Sequence, residues 1–164
     1  MIYTSTKEYP SIGPVNYRQW RADSHCKYWH GYALTFRFHF ECRTLDARNW
    51  CMDYGGLRPL KDKLEEWFDH KTLVAEDDPE LEFHKEAEKR GLCRLTVVER
   101  TGCEGLADFL IRYVNEIFLP MYGEANRVIC RRVEVRETPN NMAHVTWEDS
   151  DGNDGSEGIS DDNN

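Results

Sequence analysis

Residues Ala22–Phe40, which read ADSHCKYWHGYALTFRFHF, contain a strand pattern preceded by a cluster of reactive side chains. From residue 34 to residue 41, apolar and polar residues alternate. The even positions are apolar (Leu34, Phe36, Phe38 and Phe40), and the odd positions are polar (Thr35, Arg37, His39 and Glu41). An alternation with a period of two is typical of a strand with one buried face. We therefore predict a half-buried strand over His30–Cys42.

Four reactive side chains stand just before this strand or at its start. His25, Cys26, His30 and Tyr32 lie within eight residues, and His30 and Tyr32 share the parity of the apolar positions. A neighbouring imidazole or metal ion can lower the pKa of a thiol and make it reactive, so this end of the strand is a candidate site. The alternative is a hydrogen-bonded pair of histidines beside a small buried cysteine, and the pattern alone leaves both open.

The neighbouring segments predict a hairpin followed by helices. Strand-like residues 15–22 suggest an antiparallel hairpin with the strand at 30–42, whereas residues 1–14, with two prolines and a glycine, look irregular. Apolar residues at helical spacing predict amphipathic helices over residues 56–68 and 101–118. Between them, Asp78-Pro79 predicts the start of a polar surface helix.

The remaining segments decide the fold class. The longest predicted helix opens with Thr101-Gly-Cys-Glu104, the form of a capping box, which by itself would explain Glu104. Residues 127–137 then alternate, with Ile129 and Val133 on the parity of Glu137, and a last extended piece covers 142–147. Because strands and helices do not alternate strictly, the order favours an α+β fold with helices on one face of an antiparallel sheet.

Composition limits the functions that the chain can have. Its 164 residues are enough for one domain, predicted at 1–147, and its net charge is −9. Seven of the 30 acidic residues follow Trp147, which leaves 23 acids against 21 bases in the predicted domain. This near-neutral body argues against a nucleic-acid-binding surface, and residues 148–164 are expected to be a disordered acidic tail. Without a membrane-span or signal-peptide pattern, we expect a cytoplasmic protein that does not contact membranes.

Three motifs, in this order, resemble those of the pterin synthases of the tunnelling fold, a family that includes the 6-pyruvoyl- and 6-carboxytetrahydropterin synthases. They are Cys26-x-x-x-His30-Gly31, Asp69-His70-Lys71-x-Leu73 and Glu137-Thr138-Pro139-Asn140-Asn141. The resemblance covers about residues 15–145. It implies a four-stranded antiparallel sheet with two main helices on one face, and a homohexamer, a dimer of trimers, in which the sheets close into a barrel and each site lies at a subunit interface.

The resemblance also implies roles for individual residues. Cys26 would take or return a proton, and Asp69 would orient His70 as a second acid/base group. The alternative for His70 is a histidine that favours the negative end of a helix dipole. Glu137 would accept two parallel hydrogen bonds from the amino-pyrimidinone edge of a pterin, and Glu104 stands where the family places a glutamate near the pterin.

Zinc is the cofactor that the resemblance implies. In the family a histidine from the preceding strand and both histidines of a His-Gly-His motif hold the metal, and the corresponding residues here would be His25, His30 and Tyr32. A phenol thus replaces one imidazole. Since phenolate is an uncommon zinc ligand whose pKa of about 10 must first be lowered, we expect weaker zinc binding or a different metal.

The position of the cysteine favours one activity within the family. A cysteine four residues before the His-Gly pair resembles the 6-carboxytetrahydropterin synthases of the queuosine and 7-deazaguanine route. The implied reaction is a lyase reaction that converts 7,8-dihydroneopterin triphosphate to 6-carboxytetrahydropterin. Two alternatives stay open: a 6-pyruvoyltetrahydropterin synthase, which retains the three-carbon side chain, and a metal-deficient, non-catalytic pterin-binding homologue.

Overall fold

The computed structural model describes residues 1–148, which form a six-stranded sheet packed against helices. The predicted acidic tail, apart from Glu148, lies outside the described residues. The elements in chain order are β1 (Tyr3–Tyr17), β2 (His30–Cys42), α1 (Arg58–Phe68), β3 (Lys71–Ala75), α2 (Leu81–Lys89), β4 (Leu95–Val98), α3 (Cys103–Tyr113), α4 (Leu119–Met121), β5 (Val128–Thr138) and β6 (Asn141–Thr146). Short 3₁₀ turns at His25–Lys27 and Gly55–Leu57 precede β2 and α1, and a π-helical turn at Val114–Phe118 joins α3 to α4.

The strand order across the sheet is β4-β3-β1-β2-β5-β6. Strands β1, β2, β5 and β6 are antiparallel neighbours, whereas β3 and β4 run parallel to β1 at one edge. The predicted α+β class is confirmed, but the sheet has six strands of mixed direction rather than four antiparallel ones. A helix precedes each of the two added strands, and a connection of that length is what parallel pairing requires.

Strand β1 includes most of residues 1–14, so the prediction that this segment is irregular was wrong. Its register with β2 shifts twice, once beside Pro10 and once beside Gly13-Pro14. Because proline cannot donate to the ladder, it is accommodated at such irregularities within a long strand. Beyond the second shift the pairing continues to the end of the hairpin, where Tyr17 lies opposite His30.

The buried face of the hairpin forms the centre of the core. The alternation predicted for β2 is confirmed, since four of its residues have no exposed surface: Leu34, Phe36, Phe38 and Phe40. Helix α1 buries Leu60, Leu64 and Phe68 against them, with the rings of Phe36 and Phe68 4.8 Å apart. Each fully buried side chain of this size contributes about 1.5–3 kcal/mol relative to exposure, so this layer stabilises the strands that present the candidate site.

Strand β5 contains a bulge that its alternation did not reveal. Next to Cys130, β5 has one residue more than the β2 segment that it faces. The extra residue reverses the parity of the buried face, so that Cys130 and Val133 are both fully buried. Ile129, which the parity of the sequence placed with Val133, is partly exposed instead.

The predicted capping box does not form. The hydroxyl of Thr101 donates to the backbone oxygen of Arg18 at 2.7 Å, and α3 begins without a side-chain cap. Gly102 turns the chain at this point with φ 93°, a conformation that favours glycine. Glu104 is therefore not held as a capping residue and is exposed in the first turn of α3.

Most residues of α2 are exposed, as its polar sequence predicted, and His84 is its one buried residue. Before this helix, the carboxylate of Asp78 accepts a hydrogen bond from the N–H of Glu80 at 2.8 Å, while His84 within the helix is only 3% exposed.

Among the described residues, no helix is both long and apolar enough to span a membrane.

Candidate functional site

A pocket of about 230 Å³ lies where the hairpin ends, between the start of α3 and the turn that joins β5 to β6. Ten residues from these three parts of the chain line it: Gln19, Cys26, His30, Tyr32, Cys103, Glu104, Glu137, Asn141, Met142 and Ala143. Five of the predicted site residues are therefore brought together, although they come from three distant parts of the sequence. These five are Cys26, His30, Tyr32, Glu104 and Glu137.

Three aromatic rings form one wall beside this pocket. Tyr17 lies opposite His30 in the β1–β2 ladder, and the two ring centroids are 5.1 Å apart. The ring of Tyr32 lies 5.9 Å from that of Tyr17 and 5.4 Å from that of His30. Tyr17, which has no exposed surface, was not among the predicted site residues. Tyr17 shares the parity of buried Val15, which indicates burial, but its place beside His30 follows only from the register of the hairpin.

The carboxylate of Glu137 is held by neighbouring donors. The hydroxyl of Tyr17 donates a hydrogen bond to Oε1 of Glu137. Burial and then the adjacent Glu137 raise the pKa of Tyr17 well above its usual value, so this phenol remains a donor at neutral pH. Burial, together with Glu137 and Glu104, raises the pKa of the Cys103 thiol to about 12. Glu137 is thus an acceptor facing protonated groups.

Cys26 and His30 present reactive groups to the pocket. Cys26 is partly exposed in the 3₁₀ turn, where its N–H donates to Oγ of Ser24 at 3.3 Å. Nδ1 of His30 donates to the backbone oxygen of Tyr28 at 2.7 Å. Since a carbonyl only accepts, His30 carries its proton on Nδ1 when neutral, and Nε2 is left as an acceptor.

The residues predicted to hold zinc do not fit that metal. His25 is exposed in the 3₁₀ turn and does not line the pocket, and the β1 side chain that contacts both His30 and Tyr32 is Tyr17. Burial, followed by the charge of Glu137, raises the pKa of Tyr32, so a metal ion would have to lower that pKa before the phenolate could bind it. Within residues 1–148, no three His, Cys, Asp or Glu side chains are grouped to hold a metal ion.

Asp69 and His70 form a pair outside this pocket. Oδ1 of Asp69 lies 2.8 Å from Nδ1 of His70, which is the contact through which a carboxylate orients an imidazole. The side chain of His70 is 71% exposed, and its backbone has φ 55° where α1 gives way to β3. Neither residue lines the pocket of its own chain.

Glu104 and Gln19 connect the pocket to a larger groove. Both residues also line a second cavity of about 790 Å³, which extends between the start of α3 and the segment that follows β1. Arg21 lies in that groove, but it forms an ion pair with Asp77. The carboxylate of Glu104 therefore stands at the border of the two spaces.

Comparisons with known proteins identify the family. The family model described as 6-pyruvoyl tetrahydropterin synthase matches residues 14–148. A search of curated proteins finds no significant match.

Solved structures share the fold of this chain, which is the tunnelling fold that the motifs implied. An uncharacterized protein from Wolinella succinogenes matches with a TM-score of 0.76 at 22% identity, over 90% of this chain and 99% of that one. A catalytic-residue mutant of Plasmodium vivax 6-pyruvoyltetrahydropterin synthase matches with a TM-score of 0.63 at 15% identity, over 88% and 97%. The Caenorhabditis elegans 6-pyruvoyl tetrahydropterin synthase gives 0.59 at 15%, over 90% and 97%. With the family model covering most of its length, the chain belongs to the 6-pyruvoyl tetrahydropterin synthase family.

Proposed function

We propose that the pocket binds the amino-pyrimidinone edge of a pterin on the carboxylate of Glu137. The observation that carries this proposal is that Glu137, which accepts a hydrogen bond from Tyr17, shares one small pocket with Cys26. A carboxylate can accept two parallel hydrogen bonds from adjacent N–H donors, as it does from a guanidinium group. Cys26 then lies on a wall of the space that the rest of the ligand would occupy.

The proposed reaction is that of a 6-carboxytetrahydropterin synthase-like lyase. Its substrate would be 7,8-dihydroneopterin triphosphate and its product 6-carboxytetrahydropterin, in the 7-deazaguanine route that leads to queuosine. Support comes from the spacing of Cys26 and His30 and from the presence of both in the pocket. Cys26 would take or return a proton at the side chain of the pterin, and Nε2 of His30 offers an acceptor on the same wall.

Asp69 and His70 would supply the second acid/base group. Their hydrogen bond has the geometry of a proton relay, but His70 is exposed and lies outside the pocket of its own chain. We therefore propose that the pair acts across a contact between subunits of the oligomer that the resemblance implies.

The test is a turnover assay with 7,8-dihydroneopterin triphosphate, carried out with and without added zinc. The expected product has the mass of 6-carboxytetrahydropterin, and Cys26→Ala abolishes its formation. Cys93→Ala is the matched control, because Cys93 is partly exposed like Cys26 but does not line the pocket. A product that retains the three-carbon side chain would indicate the pyruvoyl-forming reaction instead, and no turnover under either condition would contradict the lyase proposal.

A non-catalytic pterin-binding homologue is the second candidate. It is favoured by the aromatic wall, where the two phenols of Tyr17 and Tyr32 accompany the single imidazole of His30. This candidate predicts stoichiometric pterin binding without turnover, whether or not zinc is added.

A further inference from the structure

We propose that Tyr17 is a positioning residue that holds the carboxylate of Glu137 in the orientation needed to bind the pterin edge. This inference rests on the proposed function and adds a residue that the sequence motifs do not contain. Tyr17 does not line the pocket itself but lies behind it, with its hydroxyl on Oε1 of Glu137. Its effect on a ligand would therefore be exerted through Glu137.

The sheet leaves the orientation of Glu137 open. The ladder between β2 and β5 ends at Arg136, and the ladder between β5 and β6 passes from Arg136 to Thr138 with a shift of register. Glu137 is thus a residue of β5 that neither ladder pairs. The ladder pairing does not set the direction of its carboxylate, and the hydrogen bond from Tyr17 does.

Tyr17 is itself rigidly placed. It is fully buried, pairs with His30 at the end of β1, and has its ring against those of His30 and Tyr32. Packing on several sides restricts its side chain to one rotamer, so the hydroxyl is presented at a fixed point. Fixing the acceptor before the ligand arrives reduces the entropy that binding must overcome.

The chemistry leaves room for the ligand. An ionised carboxylate has about four lone-pair positions. The hydroxyl of Tyr17 takes one on Oε1, and the Cys103 thiol also faces this carboxylate. The remaining positions can accept the ring N–H and the amino group of a pterin in parallel.

Tyr9 provides a matched control on the same strand. It is 4% exposed, and its hydroxyl donates to the backbone oxygen of Leu57 at 2.8 Å, so Tyr9→Phe also removes a buried hydrogen bond. It does not line the candidate pocket. A difference in pterin affinity between Tyr17→Phe and Tyr9→Phe therefore reflects an effect on the site and not the general effect of removing a buried hydroxyl.

The experiment is a double-mutant cycle on binding to the full-length protein. Titrations with pterin, and with its 2-oxo analogue that lacks the amino donor, are made on the wild type, Tyr17→Phe, Glu137→Gln, the double variant and Tyr9→Phe. We expect Tyr17→Phe to weaken pterin binding about tenfold and to reduce the preference over the 2-oxo analogue, while Tyr9→Phe changes neither by more than about twofold. In the Glu137→Gln background, Tyr17→Phe should have no further effect.

The outcomes separate the inference from the proposed function. If the wild type binds pterin and Tyr17→Phe behaves like Tyr9→Phe, the role of Tyr17 is overturned and the proposed pterin binding stands. An equal loss with and without Glu137→Gln would also overturn it, since Tyr17 would then act through packing. A wild type that binds no pterin overturns the proposed function and this inference with it. Should Tyr17→Phe not fold, Glu137→Asp tests the same contact, because it withdraws the carboxylate from Tyr17; unchanged pterin binding in that variant would contradict the inference.

Discussion

Cys26 and Cys103 line the same pocket but differ in burial. Cys103 is 7% exposed and burial raises its pKa to about 12, so at pH 8 this thiol stays almost wholly protonated. Cys26 is partly exposed at the pocket wall. The reactive thiol of the site is therefore expected to be Cys26.

Alkylation should distinguish the two thiols. Iodoacetamide at pH 8 should modify Cys26 at least tenfold faster than Cys103, because the thiolate is the reacting species and Cys103 is both buried and protonated. Peptide mass spectrometry after timed quenching measures both rates. Equal labelling, or faster labelling of Cys103, would show that the wrong cysteine has been assigned.

His84 predicts a dependence of stability on pH. Burial lowers its pKa below the usual 6.5, Arg18 reinforces this, and Asp78 and Glu80 oppose it. The folded state therefore binds fewer protons than the unfolded state, so the stability that neutral His84 contributes is complete above pH 6.5 and is lost as the pH falls through the lowered folded pKa. Urea unfolding should show that His84→Leu loses less stability between pH 8 and pH 5 than the wild type does. His144→Leu removes an exposed histidine and is the control. If His84→Leu and His144→Leu lose the same stability between pH 8 and pH 5, His84 is not the source of the pH dependence.

The sequence motifs identified reactive residues of the pocket but missed Tyr17, whose proposed role is to hold the carboxylate of Glu137. Cys26, His30 and Glu137 meet in one pocket, as the order of the motifs led us to expect. His25 was expected as a ligand from the resemblance, but it is exposed in its 3₁₀ turn and does not line the pocket. Tyr17 occupies the place beside His30, and only the register of the hairpin, with its two shifts, determines that.

At the scale of elements, the apolar face of β2 should carry much of the stability. Phe36 has no exposed surface and packs against Phe68 with 4.8 Å between ring centroids. Phe36→Ala should therefore lower the free energy of unfolding by about 3–5 kcal/mol, as measured by chemical denaturation. Thr35→Ala, on the opposite face of the same strand, should cost less than about 1 kcal/mol. Comparable losses in the two variants would mean that the buried face is wrongly assigned.

Regular elements could be predicted from the sequence, and their irregularities could not. The alternation in β2 and the helical stripe of α1 are confirmed because one face of each packs against the core. The bulge in β5 and the shifts in β1 depend on which strand lies opposite, and that information is not local. Leu95–Val98 was expected to be a short strand or an extended link, and its parallel pairing with β3 was not predicted, since the two strands have only four and five residues.

At the scale of the molecule, the edges of the sheet suggest assembly. Strands β4 and β6 end the sheet in a single chain, and each leaves backbone groups that another strand could pair. With the exposed Asp69–His70 pair, this agrees with a site completed by a neighbouring subunit. We predict a homohexamer, with a light-scattering mass of about six times 19.3 kDa at micromolar concentration. A monomeric mass under these conditions would contradict both the predicted hexamer and the site shared between subunits.

If Glu137 anchors a pterin, calorimetric titration of the purified protein with pterin should show saturable binding at one site per chain. Glu137→Gln, which keeps the shape of the side chain but removes its charge, should weaken this binding at least tenfold. Glu116→Gln, at an exposed acid outside the pocket, should bind as the wild type does. Absence of pterin binding, or equal affinity in the wild type and Glu137→Gln, would show that Glu137 is not the pterin anchor.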